Sequence, residues 1–193
     1  MEEDAASCFV TVKCRGPGHF SSAETQGKRI RETLVFDVEG DLTVRVLFVS
    51  PYDAIRGPMA EAFALAYGDE DIDFFSAGLV PSGFVRPQAL SVMEEMSLEV
   101  SWEHPRYLLP EHLIGVDYLV TINCELDEPR LAYLTAEVIR WKVENPLSKG
   151  LDVNFYRKSR DEVEARVRDL VEALRSGTVE EMVEKPEEKV EVS

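Results

Sequence analysis

The sequence predicts an α/β domain in which helices cover a parallel sheet. Three observations carry that prediction. Two short apolar runs, "VRVLFV" (44–49) and "DYLVTI" (117–122), are nearly continuous rather than alternating, as in strands buried on both faces. Stretches of helical composition separate runs of this kind, the pattern of strand–helix–strand units. The last such stretch carries Phe155, Val163, Val167, Leu170, Val171 and Leu174, spaced to lay an apolar stripe on the sheet.

Taken in order, residues 8–14 ("CFVTVKC") and 33–38 ("TLVFDV") have strand character on either side of a polar, glycine-bearing loop. They define a small β-rich extension over residues 1–43. The regular part opens at Val44. "PMAEAFALAYG" is a predicted helix, with proline in its first turn and Gly68 at its end. "DFFSAG" is a short strand closing on glycine, and "PQALSVMEEM" a second helix. After "DYLVTI" come a short irregular helix, "LDEPRLAYL", and a fourth strand, "EVIRW". The final helix starts near Asn154. Beyond Gly177, "TVEEMVEKPEEKVEVS" holds six glutamates and a proline, so residues 178–193 are expected to be a solvated acidic tail. The regular domain thus spans 44–177.

A chain of 193 residues fits one domain plus such extensions. Acidic residues outnumber basic ones 37 to 21, a formal charge of −16. That field repels nucleic acid and anionic membrane, which excludes both as expected partners. No run reaches the roughly 18 apolar residues of a membrane span. The opening "MEEDAASCF" is acidic where a signal peptide would be basic, and a cytoplasmic protein is expected. Cys8, Cys14 and Cys124 fit neither a disulfide framework nor a zinc knuckle, so no metal or other cofactor is implied.

The stretch with chemical content is "FVSPYDAIRGPMAEAF" (48–63), where a strand ends, a tight loop follows and a helix opens. Turns of this shape aim backbone N–H groups and a helix N-terminus at an anion. In parallel sheets ligands gather at the carboxyl ends of strands, where this loop falls. The candidate anion-binding residues are Tyr52, Asp53, Ala54, Ile55, Arg56 and Gly57.

From Val46 to about Leu174 the chain resembles the low-molecular-weight protein tyrosine phosphatase superfamily, and most of all its arsenate-reductase branch. The family reads strand, Cys-x5-Arg-[Ser/Thr], then a helix opening with Met-Ala-Glu. Ser50 falls at the cysteine, Arg56 at the arginine and Gly57 at the hydroxyl residue, while Met59-Ala60-Glu61 match directly. "FFSAGLVPSG", "RPQALSVMEEMSLEVSWEHPRYL", "VDYLVTIN", "RWKVENPL" and "FYRKSRDEVEARVRDLVEAL" match later segments in the right order. The resemblance implies a flavodoxin-like three-layer α/β/α fold with a four-stranded parallel sheet. It also implies a phosphate or other oxyanion as ligand.

The departures fall in the chemistry. In the family a thiolate attacks phosphorus, and an aspartate before proline protonates the leaving oxygen. Here the nucleophile position is Ser50 and the general-acid position is Asn145. A hydroxyl is barely ionised at neutral pH and needs a neighbouring base, and none of His19, His104 and His112 maps to the loop. Losing a nucleophile costs on the order of a million-fold in a well-studied hydrolase, and losing a general acid roughly 10²–10⁴. Ser50, Pro51, Tyr52, Gly57 and Asn145 depart together, which argues against a single engineered serine. The expected protein is therefore a catalytically inactive pseudophosphatase, acting as a binding or assembly module for an oxyanion or a protein partner. The alternative is an active tyrosine phosphatase or arsenate reductase with atypical groups.

Three loop features bear on anion binding. Pro51 has no N–H to give. A positive φ at Tyr52 would be costly. Asp53 tolerates left-handed geometry, but its charge about 4 Å from a phosphate would repel by about 4 kcal/mol at an effective dielectric of 20. An Asp53–Arg56 ion pair closing the loop is one expectation, and a free Arg56 in an open site is its rival. Glu144 is a weak substitute acid, one register off. Cys124 lies one residue past the position where thioredoxin-linked relatives carry a cysteine, and is expected to be an idle thiol. Trp141 and Tyr156 are expected to be packed, and Trp102 and His104 to border the site's mouth.

Overall fold

The computed structural model describes residues 43–101, 105–127 and 134–183. The strands expected at 8–14 and 33–38, most of the short helix expected across 126–134, and Trp102 and His104 lie outside the described residues.

Four strands form one sheet: β1 (Val44–Ser50), β2 (Ile72–Gly78), β3 (Tyr118–Ile122) and β4 (Glu137–Trp141). Their order is β2-β1-β3-β4 and every pairing is parallel. Val46 lies opposite Phe74 on one side and Tyr118 on the other. Successive residues of β1 face opposite ways, as the pleat requires. Val46 and Phe48 join the core under helices α1 (Arg56–Tyr67), α2 (Pro87–Glu94) and α3 (Val153–Ser176), where Phe63, Val92, Val163 and Leu170 are fully buried. Leu47 and Val49 face the other side, against Leu108, Leu113 and Val116 around a 3-10 turn at Pro110–Leu113. The four-stranded parallel sheet of flavodoxin type that the family resemblance implies is the one observed.

Local chemistry sets the element ends. Pro58 sits in the first turn of α1, where its missing N–H costs nothing, and the Gly68 N–H closes the helix on the Ala64 carbonyl at 2.7 Å. The second helix stops at Glu94, two residues short of the expected end at Met96, because the chain tightens into i→i+3 bonds and turns left-handed at Ser97 (φ 59°). Asp152 caps α3 by accepting the Asn154 N–H at 2.9 Å, and Gly177 ends it at φ 68°. The buried stripe of α3 starts at Tyr156 rather than Phe155, since 156, 163, 167 and 170 keep the two-turn period. Tyr156 is packed, as expected.

Past Gly177 the chain departs from the solvated tail expected there. Its left-handed turn folds the chain back, Val179 is buried in a 3-10 turn (Val179–Glu181), and Met182 and Val183 pack on the core. The glutamates of this segment mask three apolar residues that the turn delivers to the protein.

Because β1 has β2 on one side and β3 on the other, the chain reverses winding direction there. The loop after Ser50 therefore emerges at the switch point of the sheet, where the diverging connections leave a crevice.

Candidate anion-binding site

A cavity of about 310 Å³ opens at that crevice. The loop from Pro51 to Ile55 forms its floor, with Ser50, Arg56, Ser82, Arg86, Asn145 and Leu147 around it. The candidate loop residues 52–56 and both catalytic-position residues thus come together in space. Gly57 lies in the first turn of α1 directly behind them.

Ser50 ends β1 almost without solvent contact, and its Oγ accepts the Asp53 N–H at 3.1 Å. Among the described residues no side chain takes its proton. An alcohol without a base is a poor nucleophile.

Asp53, not Tyr52, supplies the left-handed residue of the loop (φ 47°), so the strain considered for Tyr52 does not arise. Tyr52 is 55% exposed at the cavity mouth. The Asp53 side chain is fully buried, and its Oδ2 accepts the Arg106 N–H at 3.0 Å. A Cβ at Gly57 would run into Asp53 Oδ1 and stand 3.1 Å from Ser50 Oγ. The carboxylate at 53 fills the room that a side chain at 57 would need.

The ion pair expected between Asp53 and Arg56 does not hold the arginine. Arg56 Nη1 donates to Asn123 Oδ1 at 2.7 Å and to the Val143 carbonyl at 2.9 Å, both neutral. Asn123 reaches this position through a left-handed backbone (φ 53°) just after β3, and its Oδ1 also accepts the Val143 N–H at 2.9 Å. Burial pulls the Arg56 guanidinium below its ordinary pKa, while Cys124 and Glu162 act the other way. Arginine's intrinsic basicity keeps it charged at neutral pH. Among the described residues this largely buried cation is hydrogen-bonded only by neutral oxygens. Arg56 is thus neither paired with Asp53 nor free of protein partners.

Asn145 lines the cavity and also caps the 3-10 turn Pro146–Lys149, its Oδ1 accepting the Leu147 N–H at 3.2 Å. Its carboxamide has no acidic proton to give. Glu144 does not replace it. Lys158 binds that carboxylate at 2.8 Å, with Lys149 at 3.6 Å, and the Lys158 hydrogen bond holds it below the usual carboxylate pKa. Trp141 is buried against Phe48, with ring centroids 5.7 Å apart. Cys124 is half-buried and points its Sγ at the Val49 carbonyl at 3.3 Å. Burial pushes its pKa up to about 11, which suits an idle thiol and not a relay. Among the described residues, no group of His, Cys, Asp or Glu side chains is placed to hold a metal ion.

Two site residues escape a one-dimensional reading. Asn123 stands out only as a polar residue at a strand end. Arg86 precedes the Pro87 helix start, and it comes to the cavity because its N–H bonds the Ala54 carbonyl at 2.9 Å. No spacing rule would have joined residues 54 and 86.

This sheet, with an anion loop at its switch point and an arginine opening α1, defines a phosphatase-type scaffold. The profile of the family described as low molecular weight phosphotyrosine protein phosphatase matches residues 45–180, and the chain belongs to that family. The arsenate reductase of Staphylococcus aureus is 27% identical over 124 residues, which make up 63% of this chain and 92% of the relative. The arsenate reductase of Halalkalibacterium halodurans is 26% identical over 132 residues, covering 66% of this chain and 94% of its own length. The crystal structure of arsenate reductase from Archaeoglobus fulgidus is similar with 28% identity and a TM-score of 0.55, over 66% of this chain and 98% of that one.

Proposed function

We propose that this chain is a pseudophosphatase of its family: it binds a phosphate-like oxyanion in the Ser50–Gly57 loop and acts by binding rather than by turnover. The observation that carries this reading is the state of Ser50, whose hydroxyl accepts a loop N–H and donates to no side chain among the described residues. Asn145, at the general-acid position, uses its side-chain oxygen as a turn cap. Arg56 and the first-turn N–H groups of α1 remain to attract an anion. A second reading, an active phosphatase or arsenate reductase with atypical groups, draws on that same retained arginine and open cavity.

Aryl-phosphate hydrolysis between pH 5 and 8, run beside calorimetric titration with inorganic phosphate, separates the two. The pseudophosphatase reading expects phosphate binding that is lost in Arg56→Ala, with turnover at buffer level. Ser50→Cys alone restores little, because Pro51 and the Asp53–Gly57 arrangement still shape the loop. Turnover at an ordinary enzymatic rate, abolished by Arg56→Ala, would establish the enzyme instead.

A further inference from the structure

Seven arginines in the described part of this acidic chain are matched to carboxylates: Arg45 to Asp73, Arg106 to Glu61, Arg157 to Glu95, Arg160 to Asp161, Arg166 to Glu162, Arg168 to Glu164 and Arg175 to Asp69. Arg56 and Arg86 have no carboxylate partner among the described residues, and both line the cavity at the switch point. Arg56 is held by neutral oxygens. The Arg86 guanidinium stands over the Phe84 ring, 5.7 Å from its centroid, and its Nε is inaccessible to solvent with no hydrogen-bond partner among the described residues. Among the described residues Arg86 has no carboxylate partner, so the rest of its guanidinium is left to meet an anion in the cavity it lines. The Arg86 backbone is tied to Ala54 of the loop, so its side chain starts from a fixed place beside the cavity.

We infer that Arg86 is a ligand-binding residue, and that the cavity takes a small molecule with two anionic groups. One phosphoryl group sits at the loop by Arg56, and a second phosphoryl or carboxyl group sits at Arg86. The inference rests on the oxyanion-binding reading above and narrows its ligand class. The volume of about 310 Å³ falls at the small end of ligand pockets, which run roughly 300–1,000 Å³, and exceeds the need of one oxyanion. Planar guanidinium forks suit this task, because each grips two oxygens of one anion. Ser82 on the same wall adds a hydroxyl, although it already donates to the Phe84 carbonyl at 2.8 Å. Of the lining residues Tyr52 is exposed, and Asp53 brings the one lining carboxylate, fully buried and accepting the Arg106 N–H.

The test is calorimetric titration of the full chain with inorganic phosphate and with diphosphate at one low ionic strength. The variants are wild type, Arg86→Gln and Arg86→Lys, each with its unfolding midpoint measured to show that it is folded. Wild type is expected to bind diphosphate at least about tenfold more tightly than phosphate, the worth of one further charge-assisted contact. Arg86→Gln should erase that preference while changing phosphate affinity less than about threefold, and Arg86→Lys should keep part of it. Phosphate binding with no preference for diphosphate would overturn the role of Arg86 and leave the oxyanion site standing. An Arg86→Gln variant that weakens both ligands equally, or neither, would overturn it too. No binding of either ligand would overturn both readings together.

Discussion

A Cβ at Gly57 would collide with the carboxylate of Asp53, four residues earlier in the chain and fully buried. Helical Gly→Ala replacements normally stabilise by about 0.5–1 kcal/mol. Here the sign should reverse. Gly57→Ala is expected to lose roughly 1–3 kcal/mol in chemical denaturation, the usual cost of overpacking. In an Asp53→Gly background the same change should cost much less, because the obstructing oxygen is gone and glycine accepts φ 47°. A Gly57→Ala protein as stable as wild type would show that the two positions are not coupled.

Asn123 positions the arginine that would meet the anion. Asn123→Asp keeps the side-chain shape, the left-handed backbone and the Val143 N–H bond, but places a carboxylate where the neutral oxygen lies 2.7 Å from Arg56 Nη1. An internal ion pair would then compete with the ligand. Phosphate affinity should fall about tenfold or more, with the unfolding midpoint near wild type. Unchanged phosphate binding would mean that Arg56 is not the anchor.

Cys124 titrates in the direction opposite to a reactive thiol. Burial raises its pKa to about 11, only partly offset by the Ile122 backbone hydrogen bond and the Arg56 charge. The neutral thiol therefore persists through physiological pH, and the thiolate appears only as pH approaches 11. Relative to an unperturbed thiol, this lowers the thiolate fraction at pH 8 on the order of a hundredfold. In a Cys8→Ser, Cys14→Ser background, iodoacetamide should label the folded protein at pH 8 about that much more slowly than the denatured protein. The labelling rate should still be climbing at pH 10. Rapid labelling at pH 7 would mark Cys124 as a redox candidate after all.

Much of the fold was legible because its cues are local. Two continuous apolar runs mark buried parallel strands, and all four strands lie within two residues of the segments expected to form them. Pro58, Asp152 and Gly177 punctuate the helices in ways that any chain must obey. The tail was misjudged because composition averages over position. Acidic residues dominate 178–193, yet Val179, Met182 and Val183 pack on the core once Gly177 reverses the chain.

The site divides along the same line. Residue identities by themselves determined that the nucleophile position holds a hydroxyl, that the acid position holds a carboxamide and that Arg56 survives, since these are matters of functional groups. Which oxygen Arg56 binds, whether Asp53 closes the loop, and that Arg86 joins the cavity were decided only by tertiary structure. Each depends on contacts between segments tens of residues apart, set by how β1 lies between β2 and β3. A side chain's partners are a property of the packed crevice, and the chain must fold before they exist.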